Sequence, residues 1–312
     1  MNEFNIIKKY LRPLSKKNLG SFALSDDIYY YHKKQIAVSM DTYVEGVHFI
    51  KSSEPNKVFK KILRASLSDL YCKGIIPNSY FLSLALSKKE ANDLWLRKMK
   101  NTLNLEQKKF NILLGGGDTT FSSKLVITIT VIGFSKKKPV LRKGSNFNDD
   151  IYVTGNLGDS FIGLSIIKKK ISIGKYNSFF TKKYYEPNLP IKISPFLKSI
   201  ASSSIDISDG LGQDLQHLCD ASGYGAYIDL VKLPLSHQCK YLILKNKFKL
   251  ENIFSKGDDY QILFTSNKNS RSKIKNLSKK LNLKISRIGK ITNNRNIFFK
   301  HKKVKFKLSA TK

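Results

Sequence analysis

Runs of apolar residues of strand length alternate along this chain with longer amphipathic segments, and this alternation is the strongest constraint on its fold. Ile36–Met40, Tyr80–Leu84, Phe110–Leu114 and Leu125–Phe134 have the length of strands, and the third of these runs into Gly115–Gly117. Val58–Cys72 and Asn92–Leu103 have the periodicity of helices. Strands that alternate with helices are typical of mixed α/β proteins, so the predicted fold class is α/β (α+β).

The second half of the chain continues the alternation. Strands are predicted at 151–154, 226–230, 261–264 and 284–291, and helices from Ser160, over Asp209–Ser222 and over Ser270–Leu281. In the second of these helices, Leu211, Leu215 and Leu218 lie at i, i+4 and i+7 and therefore on one face. Ser208 or Asp209 is predicted to cap this helix and Gly223 to end it.

A chain of 312 residues is long enough for two packed domains. The segment 135–148 is rich in Lys, Gly and Pro and predicts the junction between them. The expected domains are therefore residues 1–140 and 141–312.

Charge and composition limit the classes of function. The formal charge is +33, but basic residues are spread along the whole chain and only 7 of the 56 are arginine, which argues against a specific nucleic-acid reader. No apolar run is long enough to cross a membrane, and the first ten residues have no secretory pattern. Three widely spaced cysteines suggest neither disulfides nor a zinc site. We expect a cytoplasmic protein with no membrane partner.

Aspartates recur at the ends of apolar runs or beside glycines, although acidic residues are scarce. One aspartate alone fits a helix cap or a turn, but several that converge would repel one another unless a cation neutralises them. Mg²⁺ prefers such oxygen ligands together with substrate phosphates. The aspartates in question are Asp26, Asp27, Asp41, Asp69, Asp118, Asp206 and Asp209.

Phosphate chemistry is also suggested by glycines, among them Gly115–Gly117, whose backbone amides could approach a nucleotide or could simply form turns. The chain has no P-loop, no protein-kinase signature and no complete dinucleotide-binding fingerprint, so the familiar kinase classes are excluded. No histidine is placed as an evident general base.

Six segments together resemble the thiamine-monophosphate kinases, in the superfamily that includes aminoimidazole ribonucleotide synthetase and selenophosphate synthetase. The resemblance runs from about Ser25 to Thr292, and the order of its segments is specific to the thiamine-phosphate branch. The segments are DTYVEGVHF at 41–49, LSDL at 67–70, GGDTT at 116–120, DIYVTGNLGDS at 150–160, IDISDGL at 205–211 and GDDYQILFT at 257–265.

The resemblance implies a two-domain fold in which the N-terminal mixed sheet forms a homodimer interface and a C-terminal α/β domain follows. It implies metal positions at Asp27, Ser39, Met40, Asp41, Asp69, Asp118, Asp206 and Asp209. It also implies ATP contacts at Arg142 and Ser208, to which the glycine argument adds Gly117, and thiamine-phosphate contacts at His48 and Asp258.

Several positions depart from the family pattern. Ser25 replaces a glycine, and Lys256-Gly257-Asp258 replaces Gly-Gly-Glu, so the acid is one methylene shorter. Met40 replaces a threonine and offers no hydroxyl ligand. Phe306 is a weak candidate for the aromatic residue that would stack on the substrate.

The predicted reaction is the Mg²⁺-assisted, in-line transfer of a phosphoryl group from ATP to thiamine monophosphate. A phosphate monoester is largely dianionic at neutral pH and needs no base, which explains why none is evident. Asp41 and Asp118 are the predicted leading metal ligands and Arg142 the leading cation. Two alternatives are another ATP-using member of the superfamily and a basic nucleic-acid-binding protein.

Overall fold

The computed structural model describes residues 3–301 and 304–307. The chain divides into two compact units, residues 1–71 with 75–139 and residues 72–74 with 140–312. No helix in the described ranges is both long and apolar enough to span a membrane.

The first unit is built on a five-stranded sheet. Its helices are α1 (Glu3–Ile6), α2 (Pro55–Cys72) and α3 (Asp93–Phe110), and its strands are β1 (Tyr29–Tyr31), β2 (Ile36–Val44), β3 (Ile76–Leu86), β4 (Leu113–Phe121) and β5 (Val126–Phe134). The strand order is β1-β2-β5-β3-β4, and only the β3–β4 pair is parallel. The sheet is therefore mixed, as predicted.

One face of this sheet is covered by helices. Alternate residues of its central strands, such as Ile129 and Leu82, are buried, which is the pattern of a half-covered sheet. Arg64 of α2 donates two hydrogen bonds to Glu106 of α3, at 2.7 and 2.8 Å, and this buried pair ties the two helices together.

The opposite face of the sheet is open. Met40, Phe81 and Phe134 expose 68%, 40% and 55% of their surface, and every residue of β4 is exposed. Single exposed apolar residues are common, but several on one face of three adjacent strands are not.

The second unit contains a seven-stranded sheet of order β12-β11-β8-β10-β6-β9-β7, in which only the β8–β11 pair is parallel. Its strands are β6 (Asp150–Thr154), β7 (Ser203–Asp206), β8 (Gly225–Asp229), β9 (Ile262–Ser266), β10 (Ile285–Thr292), β11 (Ile297–His301) and β12 (Val304–Lys307). Its helices are α4 (Asp159–Ile167), α5 (Asn177–Tyr185), α6 (Ser194–Leu197), α7 (Leu211–Ser222), α8 (His237–Leu244), α9 (Leu250–Phe254) and α10 (Arg271–Lys280).

Both faces of this sheet carry apolar clusters. Leu211, Leu215 and Leu218, the predicted face of α7, are buried in a cluster that also contains strand residues of the sheet. On the other face, Ile274 and Leu277 of α10 belong to a second cluster with further strand residues. The predicted α/β class is confirmed.

Two local predictions were wrong. The segment Phe110–Leu114 was expected to be a strand that ends before three glycines, but α3 continues to Phe110 and the glycines lie inside β4. Pairing with β3 outweighs the low strand propensity of glycine. Neither Ser208 nor Asp209 caps α7. Gly210 occupies the N-cap, and Asp214 accepts the backbone N–H groups of Asp209 and Gly210 at 3.2 and 3.0 Å.

Candidate active site

A group of polar side chains lies on the covered face of β2 in the first unit. Ser39, Asp41 and Tyr43 alternate along the strand and therefore point to the same side. The hydroxyl of Tyr43 donates to Asp41 Oδ2 at 2.9 Å and also lies 2.9 Å from Ser66 Oγ on α2. The Ser39 hydroxyl is buried and makes no hydrogen bond within the described residues.

Asp27 and Asp69 join this group. Each offers a carboxylate oxygen within 4.8 Å of the other, and Asp69 lies one helical turn beyond Ser66 on α2. Burial raises the pKa of Asp41, and the negative charge of Asp27 raises it further, against the opposing effect of the Tyr43 hydrogen bond. Three half-buried carboxylates in one group, one of which has its ionisation disfavoured by a neighbour, are a donor set that a hard divalent cation would stabilise.

His48 lies beside the same group. Its Nδ1 accepts the Val44 backbone N–H at 3.0 Å, so the proton of the neutral ring belongs on Nε2. The ring packs edge-on against Tyr43, with centroids 6.0 Å apart, and is otherwise exposed. His48 therefore presents a fixed N–H donor.

Met40 and Asp118 are not brought to this group. Met40 alternates with Ser39 and Asp41 and points to the open face. Asp118 is exposed on β4, and the strands β5 and β3 separate β4 from the strand of Asp41. At about 4.8 Å per strand step, the two aspartates stand roughly 14 Å apart in one protomer.

Gly117 precedes Asp118 and has a packing requirement of its own. A Cβ atom at this position would come within 1.8 Å of the Leu82 carbonyl oxygen on β3. Close approach of two strands therefore accounts for this glycine, whether or not its amide also meets a phosphate.

In the second unit, four of the predicted residues lie at the end of β7 or on the two adjoining loops after β7 and before β9. Asp206 ends β7 and is buried, Ser208 is half-buried and Asp209 is exposed. The backbone N–H of Asp258 donates to the Ser208 carbonyl at 2.8 Å. A Cβ at Gly257 would lie 1.8 Å from that same carbonyl, so the loops pack closely only with glycine at this position.

Arg142 also lies near β7. The carbonyl of the preceding Leu141 accepts the Ser204 backbone N–H at 3.0 Å, so the chain around Arg142 runs along the edge of that strand. The side chain of Arg142 is half-buried. Phe306 lies in β12, and its side chain is outside the described part of the structure.

Sequence reasoning missed several residues of this region. Lys73 is fully buried and donates from Nζ to the Ser204 carbonyl at 2.7 Å, close to the end of β7. Asp259 is buried and accepts the Gly158 backbone N–H at 2.7 Å. Its burial raises the pKa of Asp259 well above its usual range. In the sequence, only the position of Asp259 within the GDDY segment at 257–260 could have pointed to it as a site residue.

Both units match one family. Residues 25–135 match the family described as AIR synthase related protein, N-terminal domain, and residues 148–302 match AIR synthase related protein, C-terminal domain. The two matches together span most of the chain.

Individual relatives agree with this assignment. A curated thiamine-monophosphate kinase of Buchnera aphidicola subsp. Acyrthosiphon pisum is 36% identical over 98% of this chain and 96% of its own length. One from Haemophilus influenzae is 33% identical over 93% and 89%. Among solved structures, AaThiL complexed with AMPPCP and TMP has a TM-score of 0.83 and 27% identity, over 98% of both chains.

Proposed function

The chain belongs to the AIR synthase related family, in its thiamine-monophosphate kinase branch, and we propose that it transfers a phosphoryl group from ATP to thiamine monophosphate to give thiamine diphosphate. The observation that carries the proposal is the convergence of Asp27, Asp41 and Asp69 on one group beside His48. The kinases among its relatives and the structure with AMPPCP and TMP support the choice of substrates.

The side chains of the first unit suit an anionic acceptor. The acceptor phosphate is largely dianionic at neutral pH, so its oxygen attacks without a general base. The Nε2–H of His48 is held in place by the Val44 N–H on Nδ1 and can donate to that phosphate. Its role is to orient the nucleophile rather than to accept a proton.

Mg²⁺ fits the carboxylate group of the first unit. Asp27, Asp41 and Asp69 would hold it, with the buried Ser39 hydroxyl as a further oxygen donor. When bound, the ion would neutralise the negative charge that a triphosphate and a phosphate monoester bring together. Asp206 and Asp209 of the second unit are proposed as further positions of the metal set.

The second unit supplies further proposed substrate contacts. Arg142 and Ser208 are assigned to the ATP phosphates, because a guanidinium and a hydroxyl are suitable donors to phosphate oxygens. Asp258 is assigned to the thiazolium ring, whose positive charge favours a nearby carboxylate.

A homodimer explains two features of the first unit. The open face of the sheet carries Met40, Phe81 and Phe134, and a second copy of this face would cover them. Because Asp118 stands three strand steps from Asp41, we assign it to the metal group of the partner subunit rather than to its own. Gly117, which precedes Asp118, is proposed to contact the nucleotide through its backbone amide.

Residues 1–140 are thus proposed to carry the metal group and the dimer interface, and residues 141–312 the C-terminal α/β domain. We place the enzyme in the cytoplasm, where ATP is supplied.

One assay tests the proposal. The purified protein is incubated with ATP, Mg²⁺ and thiamine monophosphate, and thiamine diphosphate is quantified after oxidation to its fluorescent thiochrome. We expect product that requires both ATP and Mg²⁺, and at least 100-fold less from Asp41→Asn, since a metal ligand is lost. Absence of product from a folded protein that binds ATP would refute the proposed activity.

A further inference from the structure

Among the residues that the structure describes, three tyrosines donate their hydroxyl to an aspartate two residues earlier. The pairs are Tyr43 with Asp41 at 2.9 Å, Tyr152 with Asp150 at 3.4 Å, and Tyr260 with Asp258 at 3.0 Å. In two of the three pairs the aspartate is one to which a role in the reaction is assigned above.

At Asp41 the pairing has a defined direction. The phenol of Tyr43 has one proton and an ionised carboxylate can only accept, so Tyr43 donates that proton to Asp41. The Ser66 hydroxyl, 2.9 Å away, then donates to the phenol oxygen. Tyr43 therefore anchors Oδ2 of Asp41, and Ser66, which lies beside both groups, holds the phenol in place.

At Asp258 the pairing requires a strained backbone. Asp258 and Tyr260 have φ values of +69° and +49°, a region that residues other than glycine seldom adopt. The surrounding structure maintains it, because Asp258 N–H donates to the Ser208 carbonyl and Tyr260 N–H to the Ile207 carbonyl, both at 2.8 Å. Strain that is held in this way clusters at functional sites.

The third pair provides an internal comparison. Asp150 is held by Arg271 through two hydrogen bonds of 2.6 and 2.8 Å, so its carboxylate is fixed without Tyr152. The Tyr152 hydroxyl is also the most distant of the three. This pair shares the geometry but is assigned no part in the reaction.

We propose that Tyr43 and Tyr260 are positioning residues, which set the carboxylate of Asp41 for a divalent cation and the carboxylate of Asp258 for a cationic heterocycle. The proposal deepens the kinase function given above and rests on it for the identity of the second ligand. Each tyrosine acts through its aspartate and touches neither ligand.

The test compares Tyr43→Phe, Tyr260→Phe and the matched control Tyr152→Phe in the full-length protein. Mn²⁺ affinity is measured by electron paramagnetic resonance, and thiamine monophosphate affinity by calorimetry without nucleotide. We expect Tyr43→Phe to bind Mn²⁺ about 10- to 100-fold more weakly, as is typical when the partner of a metal ligand is lost. We expect Tyr260→Phe to bind thiamine monophosphate about 5- to 10-fold more weakly, with unchanged Mn²⁺ affinity.

The separation of the two effects distinguishes positioning from general damage. A purely structural role of a tyrosine would lower both affinities together or neither, and either result would overturn the proposal. Equal Mn²⁺ affinities and equal thiamine monophosphate affinities in all three variants would overturn it as well. If Tyr43→Phe does not fold, Ser66→Ala removes the donor to the phenol and should weaken Mn²⁺ binding in the same direction. An inactive wild type with the predicted Mn²⁺ response would refute the kinase function but keep the role of Tyr43.

Discussion

A mixed-dimer experiment tests the assignment of Asp118 to the partner subunit. Two carboxylates that share one Mg²⁺ place oxygens about 2.1 Å from the ion, hence no more than roughly 4 Å from each other. Three strand steps separate β2 from β4, which amounts to roughly 14 Å between the backbones of Asp41 and Asp118. Two aspartate side chains do not bridge that distance.

We therefore expect Asp41→Asn and Asp118→Asn homodimers to be inactive, but a mixed dimer of the two to recover activity. In the mixed dimer one site loses both aspartates, while the other combines Asp41 of one subunit with Asp118 of its partner. The mixed dimer should therefore have about half the turnover of the wild-type dimer. The two subunits carry different affinity tags, mixed dimers are isolated by tandem purification, and thiamine diphosphate formation is measured.

The result that refutes the reasoning is equally specific. If both aspartates served the metal group of their own subunit, each subunit of the mixed dimer would carry one lesion and turnover would stay at the level of the inactive homodimers. Dimers of the wild type that carry the same two tags control for the purification.

Three further changes have expected outcomes. Ile132→Lys, on the open face of the sheet, should make the protein monomeric by light scattering, whereas Leu94→Lys, on an exposed position of α3, should not. Arg64→Leu should cost about 3–5 kcal/mol in urea unfolding because it leaves a buried carboxylate unpaired, and a cost below 1 kcal/mol would contradict this. Burial alone would raise the pKa of the Asp150 carboxyl, but its arginine partners lower it. The ionised carboxylate therefore stabilises the fold fully above about pH 4, which is the pKa of an unfolded aspartate. This stabilisation is lost as the pH falls through the lower pKa of the folded state. Arg271→Met should therefore be less stable than wild type at pH 7 by a margin that shrinks at pH 3, and a margin independent of pH would refute this.

Much of the fold was accessible from the pattern of apolar residues. The run before Asp41 predicted a strand because Ile36, Ala37 and Val38 form a short apolar stretch, and the structure extends that strand through Asp41 to Val44. The leucine spacing of α7 likewise identified its buried face. Patterns of this kind reflect local packing, which the sequence records directly.

The placement of Asp118 was harder to predict, because it depends on pairing between distant segments. Three consecutive glycines indicated a loop, and only the register with β3 makes them part of a strand. Tyr43 and Tyr260 show the same limit. The spacing of two residues from an aspartate is visible in the sequence, but at Tyr260 the contact depends on two positive φ angles that no local pattern indicates.

The exposure of every residue of β4 has a consequence for how the protein behaves at low concentration. Its own subunit holds this edge strand through pairing with β3, and in the proposed homodimer a second chain would cover it and add to its stability. By mass action, the folded fraction of this protein should then rise with its total amount, and dilution alone should lower its melting temperature.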